Sequence, residues 1–172
     1  ELGVRTLFNV LGPLTNPAGV QRQVMGVYDG ALVEPIGQVL ASLGAHHALV
    51  VHGHGGLDEF SLSGPTSVAE VQNGGVTCFS VSPADVGLAE APLTALAGGD
   101  AQENAAILRA IFAGEVSPRS DAVAFGAGGA LYVAGQADSL AEGVKRAQEV
   151  LHSGAVAQTL AHLVEATRAA AP

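Results

Sequence analysis

Apolar residues in the first third of the chain recur with two different spacings, which is typical of alternating strands and helices. The run "QVMGVYDG" predicts a buried strand that closes on an Asp-Gly turn. In "ALVEPIGQVLASLGA" the apolar residues have helical spacing, and a second apolar run, "HHALVVHG", predicts another strand. The order strand, helix, strand predicts a βαβ unit with parallel strands and a right-handed crossover. The predicted buried face of the helix comprises Leu32, Ile36, Val39, Leu40 and Leu43.

The next segment predicts an antiparallel hairpin. Two alternating, β-rich runs in "SVAEVQNGGVTCFSVS" flank Asn73-Gly74-Gly75, which is a strong hairpin signal. The sequence therefore predicts an α/β fold: a mixed, mostly parallel sheet that includes an antiparallel hairpin and is flanked by helices.

From Asp100 onward the pattern predicts helices. Asp100 and Glu103 match a capping box. The segment "SDAVAFGAGGALYVAG" is small and apolar on all sides, which predicts a buried, closely packed helix. We interpret its glycines (Gly126, Gly128 and Gly129) as tight helix packing rather than a phosphate loop, because no strand precedes them.

Composition agrees with one folded domain. Of 172 residues, 48% are hydrophobic and 13% are charged, which is too apolar for a disordered chain. No apolar run approaches the roughly 20 residues that span a bilayer, and no secretory signal is visible, so no membrane association is expected. The single cysteine, Cys78, is predicted to be buried and inert. It is compatible with a reducing compartment, and we expect a cytoplasmic location.

The charge balance argues against a nucleic-acid partner. Asp and Glu number 16 and Lys and Arg number 7, for a formal net charge of −9. Such a surface repels a phosphate polymer.

The stretch "VVHGHGGLDEF" holds the first candidate site, because ligands gather beyond the carboxyl ends of parallel strands. His52 and His54 would share a face on an extended backbone, and with Asp58 or Glu59 they could hold zinc. The adjacent carboxylates of Asp58 and Glu59 suit Mg²⁺ better, because magnesium prefers oxygen ligands and is held by one or two carboxylates plus substrate phosphates. A solvated turn is the third alternative, and the residue types alone leave all three open.

The stretch "FNVLGPLTNP" is the second candidate. Pro13 and Pro17 fix φ and remove two backbone donors, and Gly12 lets a ligand approach the backbone closely. A rigid apolar shelf of this kind suits a flat ligand or a hinge; the alternative is a structural loop.

Three stretches, "LGVRTLFNVLGPLTNPAG", "VVHGHGGLDE" and "GGDAQENA", resemble the anthranilate phosphoribosyltransferase family in order and spacing. The resemblance runs over nearly the whole chain and corresponds to roughly the C-terminal half of that enzyme. It implies that residues 1–20 are a hinge segment or part of a helical domain. It also implies that residues 21–172 are an incomplete C-terminal α/β domain of the nucleoside phosphorylase/phosphoribosyltransferase type. The chain starts at Glu1 without a methionine, which we interpret as part of a longer protein; a trimmed N-terminus is the alternative.

The resemblance also implies an activity, the transfer of the phosphoribosyl group of PRPP to anthranilate with release of pyrophosphate, in tryptophan biosynthesis. It implies that Asp58 and Glu59 help bind Mg²⁺ on the PRPP diphosphate, and that Gly12 and Pro13 line the anthranilate side. Neither histidine is a ligand in the family pattern. The family's anthranilate-binding arginine falls before Glu1, and Arg5 does not replace it. The aromatic amine is mostly neutral at pH 7, so positioning matters more than a strong base, and we name no catalytic base.

The family's glycine-rich "GTGGD"-type loop and upstream basic residues are not in this sequence. We therefore expect this chain alone to be inactive and to bind PRPP poorly. The resemblance also implies that the full enzyme is a homodimer formed through its helical domain. The alternatives are a nucleoside phosphorylase-like enzyme with another acceptor, or a non-catalytic ligand-binding module on the same scaffold.

Overall fold

A computed structural model describes residues 12–170 of the chain. The described strands form one sheet in the order β1-β2-β3-β4. The strands are β1 (Arg22–Gly26), β2 (His47–Gly53), β3 (Thr66–Gln72) and β4 (Gly75–Val81). The α-helices are α1 (Val33–Ser42), α2 (Ala101–Phe112), α3 (Pro118–Val133), α4 (Leu140–His152) and α5 (Ala155–Ala169). Short 3₁₀ helices lie at Gly30–Leu32, Pro83–Val86 and Leu93–Leu96. The predicted α/β class, a mixed sheet flanked by helices, is confirmed.

The predicted βαβ unit consists of β1, α1 and β2. The two strands are parallel, and their register runs from Arg22 opposite His47 to Gly26 opposite Val51. Both strands therefore end at the same edge of the sheet, the edge where parallel strands of an α/β fold present ligand sites.

The sheet is less parallel than the sequence predicts. Among the described strands one neighbouring pair is parallel, whereas β2–β3 and β3–β4 are antiparallel. The reason lies in the connection after β2: residues 54–65 contain no helix, whereas the crossover to a parallel neighbour is usually a helix. The predicted hairpin is confirmed, since Asn73 and Gly74 both have positive φ (54° and 78°), as a tight type I′ turn requires.

Helices cover the sheet on both faces. Successive side chains of β2 point to opposite sides, so Ala48 and Val50 join the core under α1, and Leu49 and Val51 join the core under α3 and α4. All four side chains are at most 1% exposed. The strand that leads to the candidate carboxylates is thus the most enclosed element of the fold.

The buried face of α1 differs in part from the prediction. Leu40 and Ile36 are buried as expected, but Val39 and Leu43 are 40% and 62% exposed. The helix approaches the sheet most closely at Gly37, where an added Cβ would lie 3.1 Å from the Cβ of Ala69. The buried residues of the helix are Val33, Ile36, Gly37 and Leu40, so the contact face is rotated away from Val39 and Leu43.

The close packing predicted for α3 is confirmed at two of its three glycines. An added Cβ at Gly128 would lie 2.5 Å from the backbone nitrogen of Val144 in α4, and one at Gly129 would lie 2.8 Å from the Phe60 ring. Gly126 differs, because in the described part of the chain no heavy atom outside its own stretch of helix lies within 4 Å of its added Cβ.

The prediction that Cys78 is buried is wrong: its side chain is exposed. It lies on β4, at the edge of the described sheet, and most residues of this strand are exposed. An alternating pattern identifies a strand but does not tell an edge strand from a central one.

Within residues 12–170, no helix combines the length and the apolar character that crossing a membrane would require.

Candidate active site

The loop after β2 folds back on the end of that strand. The Gly53 N–H donates to the Leu57 carbonyl at 2.8 Å, and the Leu57 N–H donates to the Gly53 carbonyl at 3.2 Å. Gly55 and Gly56 between them have φ of 83° and 81°, values that favour glycine. The glycine-rich turn therefore has a defined shape, and it delivers the chain to Asp58 and Glu59 at the strand end.

Two further glycines hold the carboxylate segment against the sheet. A Cβ at Gly26, the last residue of β1, would overlap the backbone carbonyl of Asp58, and a Cβ at Gly53 would overlap that of Glu59. Sequence reasoning missed both residues as parts of the site. The signal that could have found them is a glycine at the end of each of two parallel strands, which indicates close backbone approach.

The residues after Glu59 are buried. Phe60 is 4% exposed and its ring stacks on Phe125 of α3 with centroids 4.5 Å apart. The Ser61 N–H donates to Thr66 Oγ1 at 3.0 Å, and the Ser61 hydroxyl donates to the His54 carbonyl at 3.1 Å. Asp58 and Glu59 are exposed between the turn and this buried segment, so both ends of the carboxylate pair are anchored.

A cleft of about 360 Å³ opens beside the two carboxylates. Its other wall is α3, which contributes Ala122, Val123 and Gly126. The wall residues are small or apolar, and among residues 12–170 no Lys or Arg borders the cleft. The cleft thus has two carboxylates on its rim and a wall of small, apolar residues.

His52 and His54 anchor the loop. The Nδ1 of His52 lies 2.8 Å from the Val27 carbonyl and, because a carbonyl only accepts, Nδ1 carries the proton. The Nδ1 of His54 lies 3.1 Å from the Ser63 hydroxyl. Both contacts tie neighbouring backbone segments together, which explains these histidines without a metal.

The donor set at the strand ends suits a hard cation that keeps water and substrate oxygens in its shell. Magnesium sites of this kind use one or two protein carboxylates, and the cleft leaves room for phosphate beside them. In the part of the chain that the structure describes, no group of three or more His, Cys, Asp or Glu side chains could hold a metal ion together. Asp58 and Glu59 therefore fit a shared magnesium–phosphate site, and their assignment stays a prediction.

The structure does not bring Gly12 and Pro13 into this cleft. Both are exposed in a short helical segment, and Pro13 borders a separate cavity of about 260 Å³ beside Gln21 and Leu43. That cavity lies at the opposite end of β1, and a five-residue strand is roughly 13 Å long. The role of Gly12 and Pro13 on the acceptor side stays a prediction; Arg5 and the start of that stretch lie outside the described residues.

The "GGDAQENA" stretch forms a helix cap. Asp100 accepts hydrogen bonds from the N–H groups of Gln102 and Glu103, and the Glu103 carboxylate accepts from the Asp100 N–H, so the predicted capping box is confirmed. The Asn104 side chain also closes on Gly99, accepting from its N–H at 3.0 Å and donating to its carbonyl at 2.9 Å. These contacts give the stretch a structural role at the start of α2.

A polar cluster at the far end of the sheet was not predicted. His47 Nε2 lies 2.7 Å from Glu70 Oε1, and the His47 ring meets the Tyr132 ring edge-on at 4.7 Å. Partial burial, together with a hydrogen bond to the Glu70 carboxylate and its charge, raises the pKa of Tyr132 to about 12. The cluster connects the sheet to the C-terminal end of α3, the helix whose first half forms the cleft wall.

Comparison with known proteins confirms the resemblance over nearly the whole chain. The chain is 52% identical over 167 residues to the anthranilate phosphoribosyltransferase of Laribacter hongkongensis, which covers 97% of this chain and 49% of the relative. It is 48% identical over 168 residues to the enzyme of Halorhodospira halophila, with coverage of 98% and 49%. The chain spans about half the length of these curated relatives.

Solved structures show the same similarity. The crystal structure of anthranilate phosphoribosyltransferase from Thermus thermophilus matches with a TM-score of 0.82 and 50% identity, over 90% of this chain and 45% of that one. The enzyme from Saccharomyces cerevisiae in complex with PRPP and Mg matches with a TM-score of 0.85 and 29% identity, over 97% and 48%. The sequence model of the glycosyl transferase family, a/b domain, matches residues 1–157. The chain therefore belongs to the glycosyl transferase family and carries its a/b domain.

Proposed function

We propose that this chain is the C-terminal half of an anthranilate phosphoribosyltransferase, which transfers the phosphoribosyl group of PRPP to anthranilate and releases pyrophosphate. The observation that carries the proposal is the placement of Asp58 and Glu59, side by side at the ends of two parallel strands and on the rim of a cleft. A relative solved in complex with PRPP and Mg supports PRPP and Mg²⁺ as the molecules that bind at this site.

The reaction forms a bond between the anthranilate nitrogen and the anomeric carbon of ribose, and breaks the bond from that carbon to the diphosphate oxygen. Negative charge builds on the departing diphosphate, and a bound Mg²⁺ would supply the positive charge that stabilises it. The two carboxylates would hold the ion, and the anchored loop would fix their position relative to the cleft. Gly26 and Gly53 hold the backbone of the carboxylate segment against the strand ends.

On this proposal Gly12 and Pro13 belong to the anthranilate side. The acceptor amine is largely neutral at pH 7 and attacks through its own lone pair, so orientation contributes more than proton removal. The amine proton leaves after the new bond has formed, and no residue of this chain is assigned as its acceptor.

The experiment that tests the proposal removes the two charges. In the longer polypeptide that contains this chain, Asp58→Asn with Glu59→Gln should weaken Mg²⁺-dependent PRPP binding about tenfold or more, since contacts to charged groups contribute about 1.5–3 kcal/mol each. The matched control is Glu90→Gln with Glu115→Gln, which changes the net charge equally at exposed positions outside the cleft. Titration calorimetry with PRPP, with and without Mg²⁺, measures both. Equal PRPP affinity in the two double variants would contradict the assignment.

A second test uses the chain by itself. PRPP carries several negative charges, and no basic side chain of the described residues borders the cleft. The isolated, folded chain should therefore show no measurable transfer with PRPP, Mg²⁺ and anthranilate, and turnover by it would refute this part of the proposal.

Three further properties accompany the proposal: a role in tryptophan biosynthesis, a cytoplasmic location, and homodimer formation through residues outside this chain. Sedimentation of the longer polypeptide beside the isolated chain tests the last of these. A stable dimer of the isolated chain would contradict it.

A further inference from the structure

Gly126 is a glycine that the fold of α3 does not require. Glycine lowers the stability of a helix interior relative to alanine, so its presence there calls for a reason. Packing supplies the reason at Gly128 and Gly129, where an added Cβ would lie 2.5 Å from Val144 and 2.8 Å from Phe60. At Gly126, by contrast, no heavy atom of residues 12–170 outside its own stretch of helix lies within 4 Å of the added Cβ.

The open space in front of Gly126 lies on the side of the helix that faces the sheet. Gly126, Gly129 and Val133 follow one another at intervals of three and four residues, so they share a helix face. Gly129 contacts Phe60 and Val133 is 3% exposed, which shows that this face is turned toward the sheet core. Gly126 is exposed on the same face because the cleft opens there.

Across the cleft from this helix wall stand Asp58 and Glu59. We propose that Gly126 is a specificity-determining position of the site, which leaves room for the sugar ring attached to a magnesium-bound diphosphate. This inference rests on the function proposed above. In PRPP the sugar ring follows directly after the diphosphate. At Gly126 the wall has no side chain, so it would contact the carbon face of the ring by shape, without a polar group that recognises a smaller ligand such as pyrophosphate.

The test compares two ligands that share the diphosphate and differ in the sugar. In the longer polypeptide, Gly126→Leu should lower the affinity for PRPP with Mg²⁺ about tenfold or more, as overpacking of a formed cavity does. The same variant should change the affinity for inorganic pyrophosphate with Mg²⁺ by no more than about twofold. That change is smaller than the tenfold change that corresponds to 1.4 kcal/mol. The control is Ala127→Leu, at the next exposed position of α3, outside the cleft, and it should change neither affinity.

A stability measurement tests whether the fold itself requires a glycine at position 126. In the isolated chain Gly126→Ala should raise Tm by about 2–4 °C, because helix propensity improves and the added methyl meets no atom of another element among residues 12–170. A lower Tm would show that the fold needs this glycine and would overturn the inference.

The binding outcomes are distinguishable. Unchanged PRPP affinity in Gly126→Leu overturns the inference and leaves the proposed function standing. Equal loss for PRPP and pyrophosphate overturns the assignment to the sugar. Failure of the unsubstituted polypeptide to bind either ligand with Mg²⁺ overturns the proposed function and this inference together.

Discussion

At the scale of single residues, Gly26 shapes the site without offering a functional group. It ends β1 with its Cα against the main chain of Asp58, where a side chain has no space. Gly26→Ala should displace the carboxylate segment and cost about 1–3 kcal/mol of unfolding free energy, the range for overpacking a close contact. Chemical denaturation of the chain measures this loss. Gly75→Ala is the control, because its added Cβ would lie at an ordinary 3.6 Å from the Gln72 carbonyl, and an equal loss in both variants would contradict the specific role of Gly26.

A second residue-scale prediction concerns Tyr132. Its pKa is raised to about 12 in the folded chain by partial burial and by Glu70, whereas an unfolded tyrosine titrates near 10. As the pH rises from about 10 to 12 the unfolded state ionises first, so the stabilisation from neutral Tyr132 is complete below pH 10 and is lost across this window. Denaturation midpoints at pH 9, 10 and 11 should therefore fall more steeply in the unsubstituted chain than in Tyr132→Phe. Parallel pH profiles would show that Tyr132 titrates alike in both states.

At the scale of elements, the start of α2 is set by side chains that bond to the backbone around it. Asp100 satisfies two N–H groups of the first turn, and Asn104 reaches back to both polar groups of Gly99. Asp100→Ala should cost about 1 kcal/mol, the usual loss for a helix cap. Hydrogen exchange should show faster exchange in the first turn of α2 and unchanged protection in β2. Asp138→Ala, an exposed aspartate one residue before the α4 cap Ser139, serves as the control, and equal effects at α2 would contradict the capping role.

At the scale of the whole molecule, the excess of negative charge is poorly compensated. Within residues 12–170 the one close contact between a basic side chain and a carboxylate joins His47 and Glu70, so the formal net charge of −9 acts largely as self-repulsion. Raising the ionic strength from about 0.01 M to 0.15 M shortens the Debye length from about 30 Å to about 8 Å. The Tm of the chain at pH 7 should therefore rise by a few degrees over this range in NaCl. A fall in Tm would show that attractive surface charge pairs outweigh the repulsion.

Local patterns predicted those elements whose causes lie within a few residues of one another. The Asn73-Gly74 turn, the Asp100–Glu103 cap and the helical spacing of α1 each depend on neighbours in sequence, and each was found. The carboxylate pair was recognised because it directly follows an apolar strand. The hairpin pattern did not reveal that β4 lies at the edge of the described sheet, and so it placed Cys78 wrongly.

The sequence by itself determined the α/β class, the parallel β1–β2 unit and the position of Asp58 and Glu59 at a strand end. Tertiary structure alone decided that β3 runs antiparallel to β2, that Gly26 and Gly53 seat the carboxylates, and that Gly126 faces open space while Gly128 and Gly129 do not. The physical reason is distance along the chain. Propensity, capping and turns act between near neighbours, whereas these contacts join residues that only the packing of helices on the sheet brings together.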